Sequence, residues 1–220
     1  MIARILIFIT TIGCFLFSAC SKHLIQGEGR VLTEKRALPH FDAVELNGSE
    51  NIEIVSSTEN KVEITGYQNL IIMYRTDVID GKLVLEMDKE YYNIKNNNLR
   101  IKLFTTGINA LQMNGSGNAV VRENIGIRMN SSINGSGSIT IGENYFSEFK
   151  ATINGSGNIN ARSAQAEIAD TKINGSGNIS VTVKNYLSVK IYGSGIIDYW
   201  GEPINGVSIK IEGSGKVRKH

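Results

Sequence analysis

One four-residue segment constrains this chain more than anything else in it. Asn114-Gly115-Ser116-Gly117 returns as Asn134-Gly135-Ser136-Gly137, Asn154-Gly155-Ser156-Gly157 and Asn174-Gly175-Ser176-Gly177. It continues as Tyr192-Gly193-Ser194-Gly195 and Glu212-Gly213-Ser214-Gly215, with first glycines spaced 20, 20, 20, 18 and 20 residues apart. A fixed period of this length marks a solenoid, in which each unit covers the apolar face of its neighbour.

The flanks of the motif repeat in phase with it. Met113, Ile133, Ile153, Ile173, Ile191 and Ile211 stand two residues before each first glycine. Ala119, Ile139, Ile159, Ile179, Ile197 and Val217 stand two after each second glycine, and Val121, Ile141, Ala161, Val181 and Tyr199 follow two further on. Alternation with period two is the pattern of a strand with one buried face. In that phase both glycines point inward and the Asn and Ser columns point outward. An inward glycine pair leaves room for a bend, so Gly-Ser-Gly reads as a corner between two strand segments, close to the opposite wall. A flexible Gly/Ser linker would not keep isoleucines at fixed phase.

These features predict an all-β chain folded as a parallel β-helix with rungs of about 20 residues, stacked about 4.8 Å apart. Crossovers between parallel strands are right-handed by default, so a right-handed helix is expected. The outward Asn and Ser columns can hydrogen-bond from rung to rung, which stabilises a stack with or without a ligand. The remainder of each unit, such as 122–129, 142–149 and 162–169, varies most. Specificity is therefore expected on that side.

The amino-terminal half carries strand-like segments at 41–46, 51–55, 61–66, 82–87 and 99–104. Val44, Leu46, Gly48, Ile52 and Ile54 keep the phase of the repeat, with Glu50 in place of the second glycine. Residues 70–74 fit a strand or a short helix, and Asp80-Gly81 between apolar runs signals a hairpin. The expectation is one domain over 30–220: degenerate rungs and a cap over 30–109, then six regular repeats over 110–220.

The first nineteen residues read as a signal peptide. Arg4 precedes an apolar run from Ile5 to Phe17, too short for a bilayer span of about twenty residues. Phe17-Ser18-Ala19-Cys20 resembles a lipobox, which implies that Cys20 becomes the lipidated first mature residue, followed by a tether over 20–29. Two or more acyl chains anchor a protein stably to a membrane. Cys14 is lost with the signal peptide, so the mature chain is expected to hold no disulfide.

Several chemistries are disfavoured. The formal charge is +2, from 23 basic and 21 acidic groups, far from the basic excess of a nucleic-acid binder. Twenty-three glycines against two prolines argue against collagen and disordered linkers. The Gly-Ser-Gly segments lie in strands, unlike phosphate loops that open a helix. Calcium-binding β-rolls need aspartate in each turn, and these turns offer Asn and Ser. His23, His40 and His220 are dispersed, so no metal site or cofactor is expected. A polysaccharide lyase or glycosidase would need outward carboxylates, alone or with a basic residue. Asp77, Asp80, Glu86 and Asp88 crowd together, and a solvated hairpin accounts for them.

The run His40-Phe41-Asp42-Ala43-Val44-x-Leu46-Asn47-Gly48-Ser49 can be taken with Val62-x-Ile64-x-Gly66-x-x-Asn69-Leu70, Asp80-Gly81-x-Leu83-x-Leu85 and the repeated Asn-Gly-Ser-Gly. Together they resemble the putative auto-transporter adhesin head GIN domain family, over about residues 30 to 217. The resemblance implies a β-helix carried by Bacteroidetes-type lipoproteins, and no catalytic residues. The expected function is a non-enzymatic, lipid-anchored module of the cell envelope, an outer-membrane lipoprotein with an adhesion-like or envelope-structural role. The alternative is a carbohydrate-active β-helix enzyme. Expected partners are the membrane, through the lipid on Cys20, and a glycan or envelope polymer. The chain is expected to be monomeric, with Lys216, Arg218 and Lys219 guarding its open end against strand addition.

Overall fold

Alternating apolar residues can be buried only if the rungs stack in register, and this is how the chain folds. A computed structural model describes residues 24–88, 93–123 and 126–220. Ile133, Ile153, Ile173 and Ile191 are Cα partners in successive parallel strands, and all four are fully buried. Ile139, Ile159, Ile179 and Ile197 form a second buried column beyond the corner. The strands lengthen toward the middle of the stack, reaching Asn158–Gly175 and Asn178–Gly193.

The return segments fill the core by pairing large with small. Phe146 lies in register with Ala166 and Val183, and Phe149 with Ala169 and Leu187. The two Phe rings stack at 5.5 Å, and the alanines beside them leave the volume they occupy. The single 18-residue spacing is absorbed here. Register shifts between Ala161 and Gln165, and between Ala166 and Ile168, drop two residues before Ile173 and Ile191 come back into line.

The corner glycines are crowded by the rung before them, and not by the opposite wall as the alternation suggested. Gly155 has φ +134°, and a Cβ there would stand 2.3 Å from the carbonyl oxygen of Gly135. A Cβ on Gly157 would meet Ile133 Cγ2 at 2.8 Å. The stacking distance thus leaves no space for a methyl group at either position. Backbone bonding continues through the corner, with Ser156 N donating to Gly135 O at 3.0 Å.

In the amino-terminal half the stack departs from chain order. Strand Ala43–Gly48 pairs with Ala110–Gly115 on one side and Lys82–Met87 on the other, all parallel. Asn51–Ser56 likewise lies between Asn118–Val121 and Arg100–Thr105. The chain therefore lays one rung at 43–56, adds an outer rung at 82–105, and returns across the first to begin the regular repeats. Beyond the outer rung the walls end in antiparallel strands. Lys61–Tyr67 pairs with Arg100–Thr105 and with Val31–Ala37, while Tyr74–Ile79 pairs with Lys82–Met87.

Local sequence explains the pieces of this cap. Asp80 and Gly81 both have positive φ, 50° and 74°, giving the two-residue turn that suits a right-twisted hairpin. Residues Gln68–Met73 form a short helix that buries Leu70 and Ile71, and Tyr74 opens the next strand. Arg36 fastens the helix end by donating to Ile71 O at 2.9 Å and to Tyr74 O at 2.5 Å. The tether expected over 20–29 is already paired from Leu24 onward. Leu24–Gln26 lies parallel to Asn93–Lys95, with Ile25 buried. Cys20 and the signal segment lie outside the described residues.

Candidate functional site

The outward asparagines spend their hydrogen bonds on one another. Asn174 Nδ2 donates to Asn154 Oδ1 at 2.6 Å, Asn154 to Asn134 at 2.8 Å and Asn134 to Asn114 at 2.8 Å. Asn114 donates to Asn47 at 2.7 Å, and Asn47 donates to Glu86 Oε2 at 3.1 Å. The carboxylate end sets the direction of the whole file. A carboxylate only accepts, so Asn47 must present its NH2 group to Glu86, and every amide behind it then points the same way. At the other end Tyr192 takes the next register position, with the Lys172 and Lys210 ammoniums 5.5 and 5.6 Å from its ring centre. A shorter ladder joins Asn178 to Asn158 at 2.8 Å. Amides bonded along the stack have a structural role, in keeping with a ladder that needs no ligand.

A carboxylate and cation cluster does face outward on the neighbouring wall. Glu53 accepts from Arg122 Nε at 2.8 Å and lies 3.6 Å from Lys102 Nζ, and Glu63 pairs with Lys35 at 3.1 Å. In sequence the carboxylates crowd around the 77–88 hairpin, whereas this group is assembled from strands far apart in the chain and is invisible until they pair. The Arg122 hydrogen bond holds the Glu53 carboxyl below the usual carboxylate range, with Lys102 adding to the effect. A general acid needs the opposite shift. Of the hairpin carboxylates, Asp77 and Glu86 are both paired with Arg75. Among the described residues no three His, Cys, Asp or Glu side chains gather as a metal site. His220 stacks on Trp200 at 4.4 Å and bonds Asp198 at 2.8 Å.

Large apolar side chains reach solvent on the variable flank, as they also do at Leu24, Val31, Ile72 and Ile79 in the cap and at Ile209 and Ile211 in the last rung. Ile127 and Ile204 are 70% and 79% exposed, and Tyr145, Ile168 and Tyr186 are exposed between them. They belong to successive return segments: Ser147 N bonds Ile127 O, Ile168 is registered with Tyr186, and Ile204 N bonds Lys184 O. Glu167 gathers the polar groups on this stripe. It accepts from Tyr145 Oη at 2.6 Å and from Asn185 Nδ2, and Lys184 stands 4.0 Å away. The bond to Glu167 holds the Tyr145 proton and raises its phenol above the usual range. Aromatic faces beside a bonded carboxylate, an amide and a lysine form a surface suited to binding, and exposed apolar stripes mark contact sites.

The fold and these features define a capped β-solenoid with an internally bonded outer ladder and one exposed aromatic flank. Residues 40–203 match the family described as putative auto-transporter adhesin, head GIN domain, and the chain belongs to that family. Solved structures with the same fold include a putative adhesin from Bacteroides fragilis. It is 19% identical, with 89% of this chain and 100% of that chain covered at a TM-score of 0.69. A putative adhesin from Parabacteroides distasonis is 21% identical, with 90% and 100% covered at a TM-score of 0.54. A putative lipid binding protein from the same organism is 22% identical over the same shares, with a TM-score of 0.56. A search of curated proteins gave no match.

Proposed function

We propose that the chain is a non-enzymatic binding module of the cell envelope, held at a membrane by lipid on Cys20 and making adhesion-like contacts through its variable flank. The observation that carries this reading is the stripe of Ile127, Tyr145, Ile168, Tyr186 and Ile204, which runs along successive return segments and brings two exposed tyrosines together with Glu167 and Asn185. Family membership supports an adhesin-like role. The lipobox-like Phe17-Ser18-Ala19-Cys20 supports the anchor, and among the described residues no helix is long and apolar enough to cross a membrane. Tyrosine faces flanked by carboxylate and amide groups suit a glycan or another envelope polymer. The enzyme alternative is weaker, because Glu53 is held ionised by its cations and is a poor proton donor.

A glycan and envelope-polymer array tests the reading. The full chain should bind at least one polymer, and Tyr145→Ala with Tyr186→Ala should reduce that binding by about tenfold or more, as loss of aromatic anchors does. The same pair of changes should leave the thermal midpoint nearly unaltered, since both rings are exposed. Unchanged binding in the double variant would remove the flank from the account.

A further inference from the structure

One outward column changes character partway along the stack. Beside the amide ladder, Gln112, Ser132 and Thr152 hold successive register positions, and Lys172, Lys190 and Lys210 hold the next three. Paired strands lie about 4.8 Å apart, so three lysine stems leave one wall in single file within about 10 Å. Like charges directly opposite on neighbouring strands are destabilising. Packing gains nothing from such a column, and the neutral residues of the earlier rungs show that the fold does not require it.

The surroundings offset only part of this charge. Lys172 and Lys210 reach the Tyr192 ring from the rungs on either side, and Lys210 pairs with Glu212 at 2.9 Å. Lys190 is exposed between them and, among the described residues, its ammonium has no ion pair, hydrogen bond or ring contact. The amide ladder stops at the same place. Tyr192 follows Asn174 in register and supplies no amide, so Asn174 Oδ1 lacks the donor that every earlier oxygen of the ladder receives. Ser208 is exposed beside Lys210, and its hydroxyl has no partner among the described residues. All of these groups stand on regular strand, in Asn158–Gly175, Asn178–Gly193 and Val207–Gly213.

We propose that this file binds an acidic polysaccharide, a chain with carboxylates on successive sugar rings that runs along the axis of the stack. The ammoniums of Lys172 and Lys190 donate to its carboxylates, and Lys210 completes the file at the last rung. The Asn174 oxygen and the Ser208 hydroxyl meet sugar hydroxyls. Charge-assisted bonds of this kind are the strong ones. A sugar ring is about as long as a rung is high, and the flexible lysine stems take up the remaining mismatch.

An anionic membrane fits this wall less well. Asp170 borders the file on one side and Glu212 on the other, in the neighbouring outward rows. A flat sheet of anionic headgroups would press against both carboxylates, whereas a single chain follows the lane between them. The site goes beyond the flank reading and does not rest on it. Tyr186, Ser188, Lys190 and Tyr192 nevertheless alternate along one strand, so one polymer can reach both.

Calorimetric titration of the full chain in neutral detergent micelles tests the proposal with a galacturonic acid hexamer and its methyl ester. The expected result is saturable binding of the acid, weakening as salt rises, and none of the ester, which keeps the rings and loses the charge. Lys190→Gln should weaken binding about threefold or more, and Lys172→Gln with Lys190→Gln about tenfold or more, while Lys190→Arg retains it. The Gln changes should leave the thermal midpoint of the free chain level or raise it, because they relieve like-charge contact. A lowered midpoint would make the lysines structural and overturn the proposal. So would equal binding of the ester, or no binding of the acid. Phosphatidylglycerol added to the micelles should leave the hexamer bound; its displacement would assign the file to an anionic membrane and overturn the proposal. Binding kept in the lysine variants but lost in the Tyr145→Ala and Tyr186→Ala pair would overturn it too, and leave the flank reading standing.

Discussion

At the scale of single residues, phase decides what each position contributes. Ile153 is fully buried between Ile133 and Ile173, whereas Ser156 is exposed at the corner. Ile153→Ala should lower stability by about 2–5 kcal/mol in chemical denaturation, and Ser156→Ala by less than about 0.5 kcal/mol. Equal losses would mean the inward and outward faces are exchanged. Gly155→Ala should cost more than Ser156→Ala although both are corner positions, because its φ and the Gly135 carbonyl both exclude a methyl group. The inward and outward columns were legible from the sequence because alternation names a phase directly. The crowding that requires each glycine was not, since it comes from a neighbouring rung about twenty residues away.

At the scale of elements, the amide ladder and the cap behave differently under substitution and under acid. Asn154→Ala removes two exposed bonds and leaves Asn134 Oδ1 and the Asn174 amide to find water, so the loss should be about 1–2 kcal/mol. The acid response follows from paired carboxylates. The Lys82 ammonium bonded to Glu45, and Arg122 bonded to Glu53, hold both carboxyls below their ordinary value of 4.5. A lowered folded-state value gives stability that is present above the unfolded value and lost as pH falls through the folded one. Urea midpoints should therefore be level near neutrality and fall below about pH 4.5, with a shallower fall in Lys82→Met. A midpoint insensitive to Lys82→Met in acid would show that this pair contributes nothing. The hairpin at Asp80-Gly81 was legible because two adjacent turn residues need no distant partner. The interleaving of 82–105 outside 43–56 was not, because the 67-residue gap from Asn47 to Asn114 looks in sequence like ordinary degenerate repeat.

At the scale of the whole molecule, the two ends of the stack are finished differently. The amino-terminal end is closed by antiparallel strands and a helix, whereas Val207–Gly213 and Lys216–Lys219 form the last rung, with Ile209 and Ile211 exposed. Lys219 is tied to Glu202 at 2.5 Å, and Lys216 and Arg218 are exposed beside it. Charges on an edge strand oppose strand addition. Replacing Lys216, Arg218 and Lys219 with Ser should therefore promote end-to-end association, seen as larger species in sedimentation. A triple variant that sediments as the unaltered chain does would leave the basic tail without this role. The candidate surfaces were only partly legible. The variable flank could be named as the side of specificity, but Tyr145, Glu167 and Tyr186 come together only when three rungs are stacked.

These ends also give the molecule a direction, with the cap at the amino-terminal end of the stack and the exposed flank running along the later return segments. The reading of an anchored binding module rests on that arrangement and on lipid at Cys20. Mass spectrometry of the protein recovered from membranes tests this most directly. The account predicts a mature chain that begins at Cys20 with a diacylglyceryl thioether and an acylated amino group, and a Cys20→Ala chain that is released from the membrane or left unprocessed. A mature chain that carries an unmodified Cys20 and remains in the soluble fraction would contradict it.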